Sequence, residues 1–264
     1  MNKVQVLSNA RCGSSYLFHA LSAYHSPDIL NKFMFDDIPV LRNRRLFSET
    51  FKKLDYSFDT HKDNNLPEEE FIRRNLELIR QHEKYVLKTH VYEINTLKKY
   101  NLLDEFKMID HYRIVLLRKN IFESSLSSAV ASIKNEWTMH KNMDTITVPE
   151  QDFRDVFNFQ FHAMTALVDN TYELVYNEVI SYEDLSFWPR KDFYNTKLCN
   201  DNIDALKKVQ IRDRLYKSPD KKQTVSNYDE LYEYCLELIS QKSCDFGKFE
   251  GTMLTEVNVK MNDK

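Results

Sequence analysis

The sequence predicts an α/β fold, a parallel β-sheet flanked by helices on both faces, built as one domain over residues 1–264. Three observations predict it. Short β-prone runs alternate with longer stretches of helical periodicity, the order a parallel sheet needs because each strand must return along a crossover. One run, Ile114-Val-Leu-Leu117, is apolar without interruption, as a strand covered on both faces is. The chain's 42% hydrophobic and 29% charged residues, with 17 Phe and 15 Tyr, supply one substantial core, and no low-complexity linker or internal repeat divides it.

The elements follow in order. Val4, Val6 and Leu7 make a short β run, a loop follows, and SSYLFHALSAYH then repeats Leu17, Ala20, Leu21 and Tyr24 at helical spacing. Residues 28–65 are irregular, rich in Phe, Asp and Arg and broken by Pro39, the composition of a lid or a substrate-facing excursion. In NLPEEEFIRRNLELIRQHEKY, Asn65 is placed to cap, three glutamates fill the first turn, and Ile72, Leu76 and Ile79 share one face. YVLKTH then reads as a strand, EINTLKKYNLLDEF as a helix and YRIVLLRKN as the buried strand. IFESSLSSAVASIKN is the next helix, FRDVFNFQFHAMTALVDNTYELVY a long one, and EVISY a further strand. Beyond Leu185 the pattern weakens, although YDELYEYCLELISQ predicts a late helix that buries Leu231, Cys235 and Leu238; Thr252 to Lys264 reads as a strand or a tail.

Charge and cysteine usage exclude some classes. A net charge of −3 and a pI near 6.3 provide no basic field, so nucleic acid is not the expected partner. The basic clusters Arg42 to Arg45 and Lys217 to Lys222 read as solvated faces or loops. Cys12, Cys199, Cys235 and Cys244 form no C-x-x-C pair and have no zinc spacing, so a reducing cytoplasm is expected and no metal is called for. The first apolar run is too short for a signal peptide, and no segment reaches the ~18 apolar residues of a membrane span.

Ligands of open α/β sheets bind beyond the carboxyl ends of the strands, so chemistry is sought at the strand exits. At the first, SNARCGSS, stands Gly13, the sole glycine before residue 247. It lets the backbone turn tightly at the head of a helix, where free N–H groups, Arg11 and the hydroxyls of Ser14 and Ser15 make an anion cradle; the plainer reading is a turn glycine with capping serines. The loop lacks the second glycine and the Gly-Lys pair of G-x-x-x-x-G-K-[ST], which disfavours an ATP-magnesium kinase.

At the second exit, VLKTHVYE, Lys88 and His90 lie on one side of an extended backbone, a proton acceptor beside a cation; a purely structural histidine is the alternative. The third, LLRKNIFESSLSSAVA, sets Arg118 and Lys119 before Ser124, Ser125, Ser127 and Ser128, poor helix formers that point either to a hydrogen-bonded ligand or to N-terminal capping. The fourth, ISYEDL, carries Tyr182, Glu183 and Asp184.

In this order the four segments resemble those of the sulfotransferases that use 3′-phosphoadenosine 5′-phosphosulfate (PAPS), over roughly residues 3–185. The resemblance implies a P-loop-NTPase-like sulfotransferase fold and transfer of a sulfuryl group to the hydroxyl or amine of a small-molecule or carbohydrate acceptor. By it, ARCGSSYL is the 5′-phosphosulfate loop, with Arg11, Cys12, Gly13, Ser14, Ser15 and Tyr16 at the cofactor. LLRKNIFESSLS is similar to the 3′-phosphate segment, with Arg118, Lys119 and Ser127 as its residues. LKTH is similar to the segment holding the catalytic histidine, which makes His90 the general base with Lys88 and Arg11 neutralising charge. YEDL matches a recurrent tetrapeptide whose tyrosine, here Tyr182, lies near the adenine and whose acids are structural. Other branches of the family take an acidic base after the first helix, a role open here to Asp36 or Asp37, and the C-terminal R-K-G-x-x-G segment has no counterpart, SCDFGKFEG being a different pattern. A small-molecule kinase and a non-catalytic nucleotide-binding protein are the competing readings.

Overall fold

Four β-runs pair into one sheet in the computed structural model, which describes residues 3–14, 17, 67–81, 85–134, 144–185, 221–242 and 244–255. They are β1 (Lys3–Ser8), β2 (Tyr85–His90), β3 (Tyr112–Leu117) and β4 (Glu178–Ser181), and all pairings are parallel in the order β2-β1-β3-β4. The register aligns the carboxyl ends: Ser8 faces His90 on one side and Leu116 on the other, and Leu117 faces Ser181. The residues that leave the strands therefore emerge along one edge.

Burial explains why these runs became strands. Val4, Val6 and Leu7 in β1, and Ile114, Val115 and Leu116 in β3, are all buried, so both central strands are covered on both faces. Each such side chain contributes about 1.5–3 kcal/mol when removed from water, more than any propensity difference along the run. The parallel α/β architecture predicted from alternation is thus present among the described residues, and none of their helices is long and apolar enough to cross a membrane.

The helices are α1 (Glu68–Gln81), α2 (Val91–Lys99), α3 (Leu103–Lys107), α4 (Ile121–Ile133), α5 (Glu150–Val168), α6 (Tyr182–Leu185), α7 (Lys221–Thr224) and α8 (Tyr228–Ser240), with a 3-10 turn at Phe246–Phe249. On α1 the predicted stripe of Ile72, Leu76 and Ile79 is buried and joins Leu7, Leu87, Val115 and Leu167 in one cluster. A second cluster unites α4, α5 and α8 through Phe122, Phe153, Phe157, Leu231, Cys235 and Leu238. Lys88 and His90, predicted to share a side of β2, are both half-buried.

Three boundaries differ from the sequence reading. EINTLKKYNLLDEF is two helices, because Asn101 between them adopts φ +56°, a left-handed turn that an asparagine tolerates and an α-helix does not. The long helix starts earlier, at Glu150, and stops at Val168; Asn170 has φ +49° and its side chain both donates to Leu174 O (2.9 Å) and accepts from Leu174 N (3.0 Å), closing the turn that leads into β4. Residues 253–255 are a helical turn where a strand or a tail was expected, and residues 256–264 lie outside the described residues. Met253 N donates to Lys119 O (3.1 Å), which ties this late segment to the exit of β3.

Candidate functional site

The chain passes from β1 to its neighbour β2 on one side, and from β3 to its neighbour β4 on the other. The gap between the ends of β1 and β3 is therefore the point where the winding reverses, the position at which open α/β sheets take ligands. Arg11 and Gly13 leave one wall of this gap, Arg118 and Lys119 the other.

The two walls touch. Arg118 Nη1 donates to the backbone carbonyl of Arg11 (3.0 Å), and Arg11 Nε donates to Ser127 Oγ on α4 (3.0 Å). The loop backbone is unusual on both sides of Cys12, with φ +62° at Arg11 and +76° at Gly13. A non-glycine in this region is held there by its surroundings, here by contacts that include the hydrogen bonds to Arg118 and Ser127. Leu17 N–H donates to Gly13 O (3.1 Å), a helical-type bond four residues on, and Ser14 is buried beside Gly13. The Cys12 thiol is pushed up to about 12, chiefly by burial, so it stays protonated and packs as an apolar group.

Tyr182, first residue of α6 after β4, covers this junction. Its ring lies over the Arg118 guanidinium at 4.5 Å, a cation–π contact, and against Gly13. Next to it Glu183 accepts from the backbone N–H of Lys119 (2.9 Å) and of Asn120 (3.1 Å), so this acid shapes the exit of β3.

The four serines of α4 are buried, and the capping role falls instead to Asn120, whose Oδ1 accepts from Glu123 N (2.9 Å). Ser127 meets Arg11, Ser124 donates to its own helix at Ile121 O, and Ser128 Oγ accepts from Gln160 Nε2 (2.8 Å). Gln160 also donates to Ala10 O (3.3 Å) and accepts from Asn9 Nδ2, which binds the β1 exit to α5. Its position was readable: a lone amide among Phe153, Phe157, Phe161 and Met164 on the apolar face of a long helix needs a buried partner.

One reading of the sequence is corrected. Lys221, placed among solvated basic residues, is only 6% exposed, because α7 carries it under the site, where its ammonium lies 3.5 Å from Glu123 Oε2. Burial, opposed in part by Glu123, brings its pKa down to about 8. Glu123, likewise passed over, accepts from Tyr228 OH (2.8 Å) through Oε1 and approaches Arg118 Nη2 at 3.8 Å through Oε2. Nothing local in the sequence marks either residue, since the pairing joins positions nearly a hundred apart.

His90 ends β2 on the same edge and opens α2; its N–H donates to Glu93 Oε2 (2.6 Å), its Nδ1 lies 3.4 Å from Ser8 Oγ, and its ring stacks on Tyr92 with centroids 5.4 Å apart. Lys88 sits two residues back, opposite Val6, inside the strand rather than at its exit. Ser15, Tyr16, Asp36, Asp37 and the irregular region 28–65 lie outside the described residues, as do Arg42 to Arg45 and Cys199.

Arg118 and Lys221 thus place two cations beside one carboxylate, Glu123, with the Arg11 charge close to both, while Glu183 is engaged by backbone. The Arg118 Nε–H is buried with no hydrogen-bond partner among the described residues. Burial and the neighbouring Arg118 charge both lower the Arg11 pKa, the signature of cations held close together. Such a donor set fits a multiply charged oxyanion of the kind a nucleotide phosphate presents. No protein-family model matches the chain, and no curated protein matches it.

Proposed function

We propose that the protein is a cytoplasmic PAPS-dependent sulfotransferase with a single P-loop-NTPase-like domain. The observation that carries this reading is the contact between Arg118 and the Arg11–Gly13 loop at the winding reversal, which joins the two segments that resemble the family's 3′-phosphate and 5′-phosphosulfate sites. When bound, PAPS supplies the sulfuryl group that an acceptor hydroxyl receives by in-line displacement.

The chain's own groups have distinct parts. N–H groups around Gly13 and the Arg11 guanidinium would hold the phosphosulfate end and neutralise charge there; one preorganised donor of this kind contributes about 3 kcal/mol. Arg118, Lys119 and Ser127 would hold the 3′-phosphate, and this remote binding orients the reacting end. Tyr182 supplies an aromatic face beside them. His90, at the end of β2, would take the proton of the acceptor hydroxyl, with Asp36 or Asp37 as the acidic alternatives, and Lys88 would add positive charge on the His90 side of the strand.

Calorimetry with adenosine 3′,5′-bisphosphate against ATP-magnesium, together with transfer of labelled sulfate from PAPS to a pool of alcohol, amine and carbohydrate acceptors, tests the reading. Bisphosphate binding with transfer is expected. ATP-magnesium binding in preference to bisphosphate would favour a kinase, and bisphosphate binding without transfer to any acceptor would leave a nucleotide-binding protein.

A further inference from the structure

Glu123 is placed as a ligand would be. It stands in the first turn of α4, yet α4 does not need it as a cap, because Asn120 already accepts the Glu123 N–H. Its carboxylate is met by donors drawn from three parts of the chain: Arg118 from the exit of β3, Lys221 from α7 and Tyr228 from the start of α8. The contacts to the two cations are loose. At 3.8 Å and 3.5 Å they exceed the ~2.7–2.9 Å of a well-made charge-assisted hydrogen bond. Among the described residues Arg118 Nε has no acceptor, and the Lys221 ammonium is buried against this one carboxylate. Both cations converge on Oε2 while Tyr228 takes Oε1; a tetrahedral oxyanion has more oxygens and more charge to offer them.

We infer that Glu123 is an internal counter-ion that holds the Arg118–Lys221 cation site, and that an oxyanion of the phosphate or sulfate type binds there by exchange with its carboxylate. While no ligand is bound, the carboxylate offsets part of what burial of these cations costs, since an unpaired buried charge is far more costly than a loosely paired one. The same carboxylate then opposes every incoming anion and thereby sets the affinity. That the exchanging anion is a nucleotide phosphate rests on the function proposed above; the exchange itself rests only on the geometry.

The test compares wild type, Glu123→Gln and the charge-neutral pair Glu123→Gln with Lys221→Met in thermal unfolding and calorimetry. Each is titrated at constant ionic strength with sodium sulfate and, separately, with adenosine 3′,5′-bisphosphate. Glu123→Gln should melt below wild type in chloride and regain the difference in sulfate, with half-saturation at about tenfold lower sulfate than wild type. The paired variant should melt near wild type in chloride and lose most of the sulfate response, which separates site binding from general stabilisation by sulfate. If Glu123→Gln is too unstable to purify in chloride, recovery of folded protein in millimolar sulfate supports the exchange and failure to recover it overturns the exchange. Equal sulfate midpoints in wild type and Glu123→Gln, or a weaker one in the variant, also overturn it. A sharpened sulfate response with none to bisphosphate keeps the exchange and removes the nucleotide reading.

Discussion

Gly13 and Tyr182 are in van der Waals contact across the sheet: a Cβ built on Gly13 would lie 2.6 Å from Tyr182 Cδ2 and 2.9 Å from Cε2. The backbone of Gly13 also has φ +76°, where a side chain is strained whatever the space. A ring from the exit of β4 thus rests on the loop after β1, and Arg118 lies on the same ring. Gly13→Ala should cost roughly 2–4 kcal/mol, part from the ring and part from the backbone. In a Tyr182→Ala background the added cost should drop to about 1 kcal/mol, the backbone share alone. Denaturant unfolding of the four proteins measures it, and an undiminished cost in the Tyr182→Ala background would show that the ring is not what the methyl meets.

Binding and proton transfer should separate. Arg118→Ala should weaken adenosine 3′,5′-bisphosphate by about ten- to a hundredfold, the worth of one charge-assisted contact. His90→Ala should leave that affinity within a factor of about two and lower turnover by ~10² or more. Full turnover in His90→Ala with none in Asp36→Ala would move the base to the acid.

Lys221 gives the site a pH limit. Its pKa near 8 lies below the ordinary 10.5, so its ammonium is lost as pH rises through about 8, and phosphate affinity should fall there. Lys221→Arg should carry the affinity to higher pH. For stability the sign is opposite: between about 8 and 10.5 the unfolded chain binds the proton that the folded chain has released, so this residue's contribution grows as pH rises across that window, by up to about 3 kcal/mol. Lys221→Met should flatten that part of the curve in urea unfolding at several pH values.

His111 governs the acid side. It is buried at the opposite end of the sheet, with Nε2 2.7 Å from Tyr85 OH, in a network in which Arg113 Nε donates to Gln5 Oε1 (2.9 Å) and Gln5 Nε2 donates to Thr89 Oγ1 (3.1 Å). Burial first, then the Arg113 charge, brings the His111 pKa from 6.5 down to about 3. The stability it contributes is complete above 6.5 and lost as pH falls toward 3, a total on the order of a few kcal/mol. His111→Gln should unfold less steeply with acid across this range; an unchanged slope in the variant would assign acid lability to other groups.

Much of the local structure was legible because it depends on near neighbours in the chain. The stripe Ile72, Leu76, Ile79 and the run Ile114 to Leu117 state their periodicity openly, and both are buried. The breaks at Asn101 and Asn170 were missed for a related reason: an asparagine is compatible with both helix and left-handed turn, and tertiary packing chose the turn. Ser127 was visible as an excess of serine in a helix, whereas its partner Arg11 lies more than a hundred residues away, at a distance no local pattern spans.

By itself the sequence determined that strands and helices alternate, that the strands end in polar and glycine-bearing exits, and that the first exit carries an arginine and a glycine. Only the tertiary structure decided the order β2-β1-β3-β4, which puts the winding reversal between the Arg11 and Arg118 exits, and the burial of Lys221 against Glu123. The reason is physical. Hydrophobic periodicity is written in side chains a few positions apart, but strand order and the pairing of buried charges are settled by which distant segments can share one core without leaving a charge unpaired.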